Sequence, residues 1–133
     1  MAERPSKVWR NGVAEDTAAV AAGALDPEEA STAELFPESL LTSTDSALTA
    51  FEAEVRALSD PSDDDVMLTV ERVVLALNEI NDQHGGVGYE TGEREQLCEY
   101  IDASLAEAGI DVPALAARRG IGRWEITDEW REW

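Results

Sequence analysis

SDDDVMLTVERVVLALNEINDQHGG, residues 62–86, is the stretch that decides the fold. Ser62 can cap a helix by accepting from a first-turn amide, and Asp63, Asp64 and Asp65 set negative charge against the positive helix end. Val66, Val70, Val73, Val74, Leu77 and then Ile80 or Asn81 recur at helical spacing and share one face. Gly85 and Gly86 end the pattern, because glycine adopts the left-handed backbone that closes a helix. The β-branched run ERVVLAL, residues 71–77, is locally compatible with a strand. The whole stretch reads as a long helix.

Outward from it, residues 40–61 (LLTSTDSALTAFEAEVRALSDP) place Leu48, Phe51, Val55 and Leu58 at helical spacing, with Ser43 or Thr44 as cap and Pro61 as stop. Asp26, Pro27, Glu28 and Glu29 open a shorter helix that must end by Phe36, because Pro37 follows. Residues 1–25 read as weakly structured, with Trp9 their one large apolar anchor. On the other side, GGVGYE (85–90) is a glycine-rich turn, and Thr91 can cap a helix carrying Leu97, Cys98, Ile101, Leu105 and Ala108 inward as far as Gly109. Asp111 and Pro113 open a short helix closed by Gly120. Residues 121–133 (IGRWEITDEWREW) suggest an extended segment and then a helical turn capped by Thr127 or Asp128. Short connections and amphipathic stripes predict an all-α protein: an antiparallel bundle of four to six helices with a short Trp-rich C-terminal tail. Residues 26–133 would form a single helical domain behind the weak segment 1–25.

Composition narrows function. The 133 residues hold 29 Asp plus Glu against 10 Lys plus Arg, a net charge of -19. Such a field disfavours nucleic-acid backbones and anionic membranes, whereas it speeds encounter with a basic protein. No apolar run approaches the roughly 20 residues that span a bilayer. The first residues, MAERPSKVWRNG, lack the apolar core of a secretion signal. The expected location is cytoplasmic.

Neither a cofactor nor a metal is expected. His84 is the single histidine and Cys98 the single cysteine, too few for a zinc site, and no Glu-x-x-His pair suggests a carboxylate di-metal centre. Asp60, Asp63, Asp64 and Asp65 fail the spacing of a calcium loop, and Gly85, Gly86, Val87 and Gly88 lack the lysine of a phosphate loop. His84 reads as a C-terminal helix cap and Cys98 as a buried thiol. No catalytic constellation is visible, so the chain is not expected to be an enzyme.

Two surfaces remain as candidates for partner binding. Glu95, Glu99 and Asp102 form one stripe by their i, i+4, i+7 spacing, and Glu71, Asn78 and Asp82 flank an outward Leu75 on the long helix. Each could equally be a solvated face. In the tail, Trp124, Trp130 and Trp133 alternate with Arg123 and Arg131, the residue types that dominate interface hot spots. The competing reading is a lid over a core poor in aromatics.

Residues 66–133 resemble small bacterial proteins of unassigned function, on the strength of ERVVLALNEIN (71–81), ETGEREQLCEYID (90–102) and GIGRWEITDEWREW (120–133). In size, acidity and lack of catalytic groups the chain is also similar, in type rather than motif, to immunity proteins of bacterial toxin systems. That resemblance implies a protein that occludes a basic toxin or enzyme with an acidic face. The alternatives are a phosphate-mimicking regulator of a DNA- or RNA-binding protein, a structural subunit anchored by its tryptophan tail, and an enzyme whose carboxylates assemble in a cleft from distant positions.

Overall fold

The fold is taken from a computed structural model, which describes residues 2–24 and 36–133. Among them are five α-helices and no strand: α1 (Pro5–Ala21), α2 (Glu38–Ala57), α3 (Asp63–Gln83), α4 (Thr91–Glu107) and α5 (Val112–Arg118), followed by a 3-10 turn at Arg123–Glu125. The predicted helix from Asp26 lies outside the described residues.

α3 forms as its sequence dictates. Ser62 Oγ accepts from the Asp65 amide at 3.1 Å, and the Asp65 carboxylate accepts from the Ser62 amide in return. Val66, Val70, Val73, Val74 and Leu77 are all buried, and Gly85 and Gly86 leave the helix at φ 74° and 77°. Ser62→Ala removes the cap and should cost about 1 kcal/mol, read as a fall in the denaturant midpoint at constant slope. An unchanged midpoint would mean that the reciprocal cap adds nothing.

The helices alternate in direction. The start of α2 meets the end of α3, where His84 Nε2 lies 3.1 Å from Ser39 Oγ. Nearer the other end of α2, Glu54 accepts from Arg72 at the middle of α3 at 3.4 Å. α1 runs against α2 in the same way, from Arg4 at Glu52 to Arg10 at Glu38. α4 runs against α1, with Tyr100 beside Pro5 and Gln96 beside Trp9. This is the predicted all-α bundle with a tryptophan-bearing tail.

Three local expectations need correction. Residues 5–21 are helical, and Trp9 is only 3 % exposed. Its indole stacks on Phe36 at 5.3 Å and donates to Gln96 Oε1 at 2.6 Å. The sequence hid this because α1 buries just Pro5, Ser6 and Trp9, too few positions for a periodic signal. α2 starts at Glu38, directly after Pro37, so Ser43 and Thr44 lie within the helix rather than capping it. Thr44 is buried and shares a 2.6 Å hydrogen bond with Tyr89. α4 starts at Thr91 with Glu90 in the cap position and no side-chain cap, and Ala108 is exposed.

The glycine-rich turn works as a plug. Tyr89 is fully buried, its amide donates to Asn81 Oδ1 at 3.0 Å, and its ring meets Trp9 and Trp133. A Cβ at Gly88 would stand 3.1 Å from His84 Cβ and 3.3 Å from Leu40 Cδ1, so a side chain there would push these neighbours back by a few tenths of an ångström.

Candidate functional site

The tail decides which candidate residues face outward. After α5, whose Arg118 chelates Asp63 at 2.7 and 2.8 Å, the chain turns back across α3 and α4. On the α3 side, Asn78 Nδ2 donates to the Trp130 carbonyl at 2.7 Å, and Asn78 Oδ1 accepts from the Glu132 amide at 2.9 Å. Toward α4, the Arg123 guanidinium grips Asp102 with two bonds of 3.0 and 2.7 Å. Thr127 Oγ1 lies 3.7 Å from Cys98 Sγ, and Arg131 reaches the same sulfur at 3.6 Å. Trp133 closes the seam, edge-on to Tyr89 at 5.9 Å.

This geometry removes three residues from the expected binding surface. Asp102 is 3 % exposed and held by Arg123, so it is not the third member of an outward stripe. The cation that covers Asp102 comes from 21 positions along the chain, out of reach of any reading of helical spacing. Asn78 is buried as the clamp of the tail, and Trp133 is buried beneath it. Trp130 is half-buried against the core.

What remains outward is more compact. Glu95, Glu99, Cys98, Trp124 and Arg131 line a groove of about 230 Å³ between α4 and the tail. Trp124 is 57 % exposed, whereas the other three tryptophans are buried or half-buried. Arg131 is turned inward, over the Trp133 ring at 5.3 Å and within 3.3 Å of Asp128. Among the described residues, neither Glu95 nor Glu99 has an ion-pair partner. On α3, Leu75 is 47 % exposed, with Asp82 exposed and Glu71 half-buried; none of the three lines the groove.

Comparison with known proteins finds no matching family model, no matching curated protein and no matching solved structure. The site is therefore read from its chemistry. Among the described residues no group of three His, Cys, Asp or Glu is placed to hold a metal ion, and no helix is long and apolar enough to cross a membrane. His84 Nδ1 meets the Ile80 carbonyl at 2.9 Å, the capping position its sequence suggested. Cys98 is half-buried rather than buried, although Thr127 and Arg131 of the tail both reach its sulfur.

One cluster was invisible in the sequence. Buried Glu52 receives Arg4 Nε at 2.7 Å and Nη2 at 3.0 Å, and also the Tyr100 hydroxyl, which together tie α1 and α4 to α2. The Arg4 hydrogen bonds hold the Glu52 carboxyl below its usual range, against burial, which acts to raise it; Tyr100 adds a smaller lowering. Burial and the Glu52 contact push the Tyr100 phenol up, and burial pushes Tyr89 up to about 12. This cluster fastens helices together, and its Tyr100 also lines a shallow pocket of about 250 Å³ with Pro5, Val8 and Gln96.

The shifts fix the pH dependence. Glu52 has a lowered folded pKa, so its contribution is present above the ordinary value of about 4.3 and is lost as pH falls through the lowered one. Tyr89 has a raised folded pKa, so its contribution is present below about 10 and is lost as pH rises toward about 12. Protonating other carboxylates relieves the self-repulsion of a -19 chain, which opposes the acid loss. Denaturant melts of wild type and Glu52→Gln across pH separate the two. The variant should be less stable near neutrality, and the difference should shrink below about pH 4. A gap independent of pH would rule out the ionised Glu52 as the tie.

Proposed function

We propose that this chain is an acidic protein-binding module of the immunity type, which inhibits a basic toxin or enzyme by covering its working surface. The observation that carries this reading is the groove of α4 and the tail. There a 57 % exposed indole lies beside two carboxylates that have no ion-pair partner among the described residues, on a chain of net charge -19. A folded protein gains nothing from leaving Trp124 in water, while tryptophan is among the strongest interface anchors. Leu75, with Asp82 and Glu71 nearby on α3, supplies a second acidic surface with an apolar centre.

The division of labour follows from physics. Long-range charge sets the rate of encounter, and the aromatic and aliphatic anchors set the lifetime of the complex. Inhibition by this route is stoichiometric occlusion and requires no chemistry from the chain. Trp133 and the backbone of Trp130 and Glu132 are spent on the fold, which weakens the reading of the tail as an assembly anchor.

The test is affinity capture from a lysate of the source organism with wild type and with Glu95→Arg/Glu99→Arg. The expected result is one abundant basic protein, released at high salt, missing from the variant, and inactive when bound. A partner retained by the variant and at high salt would refute the electrostatic mechanism. Displacement by DNA or RNA would move the reading to the phosphate-mimicking alternative.

A further inference from the structure

We infer that the groove between α4 and the tail is the seat of a single arginine side chain presented by the partner. This deepens, and rests on, the reading of the partner as a basic protein. At about 230 Å³ the groove is smaller than the roughly 300–1,000 Å³ typical of small-molecule sites, and suits one long side chain.

Its lining has the three features a guanidinium needs. Trp124 lines the groove with an exposed indole, and tryptophan is the strongest aromatic partner for a cation. Glu95 and Glu99 are one helical turn apart on α4, so their side chains neighbour each other and can share the planar fork of one guanidinium. Cys98 and the indole give the aliphatic stem an apolar floor.

The protein already shows the stacking half of this contact. Arg123 lies over the Trp124 ring at 4.9 Å while its charge is satisfied by Asp102. Arg123 is not among the groove residues, so it does not fill the seat. Arg131 does line the groove and opposes an incoming cation. Its guanidinium, however, is engaged by Asp128, the Trp133 ring and Cys98 Sγ, and among the described residues Glu95 and Glu99 have no ion-pair partner. Lysine fits less well, because its ammonium is a strongly hydrated point charge that cannot stack and fork together.

The test uses a blocked five-residue peptide, Gly-Gly-Arg-Gly-Gly, against the same peptide with citrulline, which keeps the shape and removes the charge. Binding is followed by the NMR shift of the Trp124 indole N–H, assigned by its loss in Trp124→Phe. The arginine peptide should move that resonance, with citrulline at least about tenfold weaker and lysine in between. Glu95→Gln/Glu99→Gln should weaken the arginine peptide about tenfold, whereas Glu15→Gln/Asp60→Asn, which removes the same charge from exposed positions outside both proposed surfaces, should change it less than about twofold. Trp124→Leu, in which binding is followed by the backbone amide shifts of Glu95 and Glu99 instead, keeps an apolar side chain at an exposed site and should abolish the preference for arginine over lysine while leaving the melting temperature unchanged.

Equal weakening by the two charge-removing pairs would mean a diffuse field and overturn the seat. So would equal binding of citrulline, preference for an acidic peptide, or no shift at all. If a basic partner is captured but its affinity ignores Trp124→Leu and Glu95→Gln/Glu99→Gln, the seat is wrong and the functional reading stands. If the arginine peptide seats as described and no basic partner exists, the seat stands and the functional reading falls.

Discussion

A chain cut after Gly120 should lose its cooperative fold rather than merely shed a docking appendage. Residues 121–133 bury Ile126, Thr127 and Trp133, and they supply Arg123 to Asp102 and the backbone partners of Asn78. Trp133 alone should be worth about 3–5 kcal/mol when replaced by alanine. Removing the whole segment also strips a buried carboxylate of its cation and uncovers Tyr89. Together these losses approach the roughly 5–15 kcal/mol that holds a domain of this size folded. Denaturant titration followed by far-UV circular dichroism should show a broad or absent transition for the truncated chain. Trp133→Ala should keep a cooperative melt, lowered by on the order of 10 °C. A truncated chain with the wild-type midpoint would return the tail to the role of a free anchor.

The second large effect is expected at Trp9. The indole is stacked on Phe36 at 5.3 Å with 4° between the ring planes, lies 6.1 Å from Tyr89, and donates to Gln96. Trp9→Ala should cost about 3–5 kcal/mol, because it empties the main apolar anchor of α1. What then holds α1 is chiefly ionic. Arg4 retains Glu52, while the pairs of Arg10 with Glu38 and Asp45 are partly exposed, and pairs of that kind give about 0–1 kcal/mol each. Amide hydrogen exchange should therefore speed up across residues 5–21 well before the rest of the bundle. Trp9→Phe should recover part of the loss and little of the Gln96 contact. Exchange that rises uniformly through all helices would show that α1 is no separable layer.

What could be read from the sequence was local and periodic. Ser62, Asp65, Gly85 and Asp111 mark helix ends by rules that need only neighbouring residues, and the structure places each at such an end. The valine stripe of α3 was legible because one helix supplies enough buried positions to show a period. Failures came where the partner is distant in sequence. Asp102 looked exposed by its spacing, yet Arg123 covers it; Asn78 looked like a surface amide, yet it clamps the tail. Tyr89 was overlooked in a glycine-rich turn, because nothing local reveals that Thr44, Trp9 and Trp133 converge on it.

The candidate surface behaved the same way. Glu95 and Glu99 were nameable because one helical turn fixes their proximity. That Trp124, rather than Trp130 or Trp133, joins them could not be read in advance, since it depends on how the tail folds back. The expected turn at Thr127 forms, with the Arg131 amide donating to the Thr127 carbonyl at 3.1 Å, but the segment before it is a 3-10 turn at Arg123–Glu125 rather than extended.

The most direct test of the central claim, that an acidic groove captures a basic protein, is the association rate of the captured partner as a function of salt. It is measured for wild type and for Glu95→Arg/Glu99→Arg. The wild-type rate should fall steeply as the screening length drops below about 10 Å, near 0.1 M salt, and the variant should start at least about tenfold slower with a flatter dependence. Equal rates for the two proteins, insensitive to salt, would contradict the account.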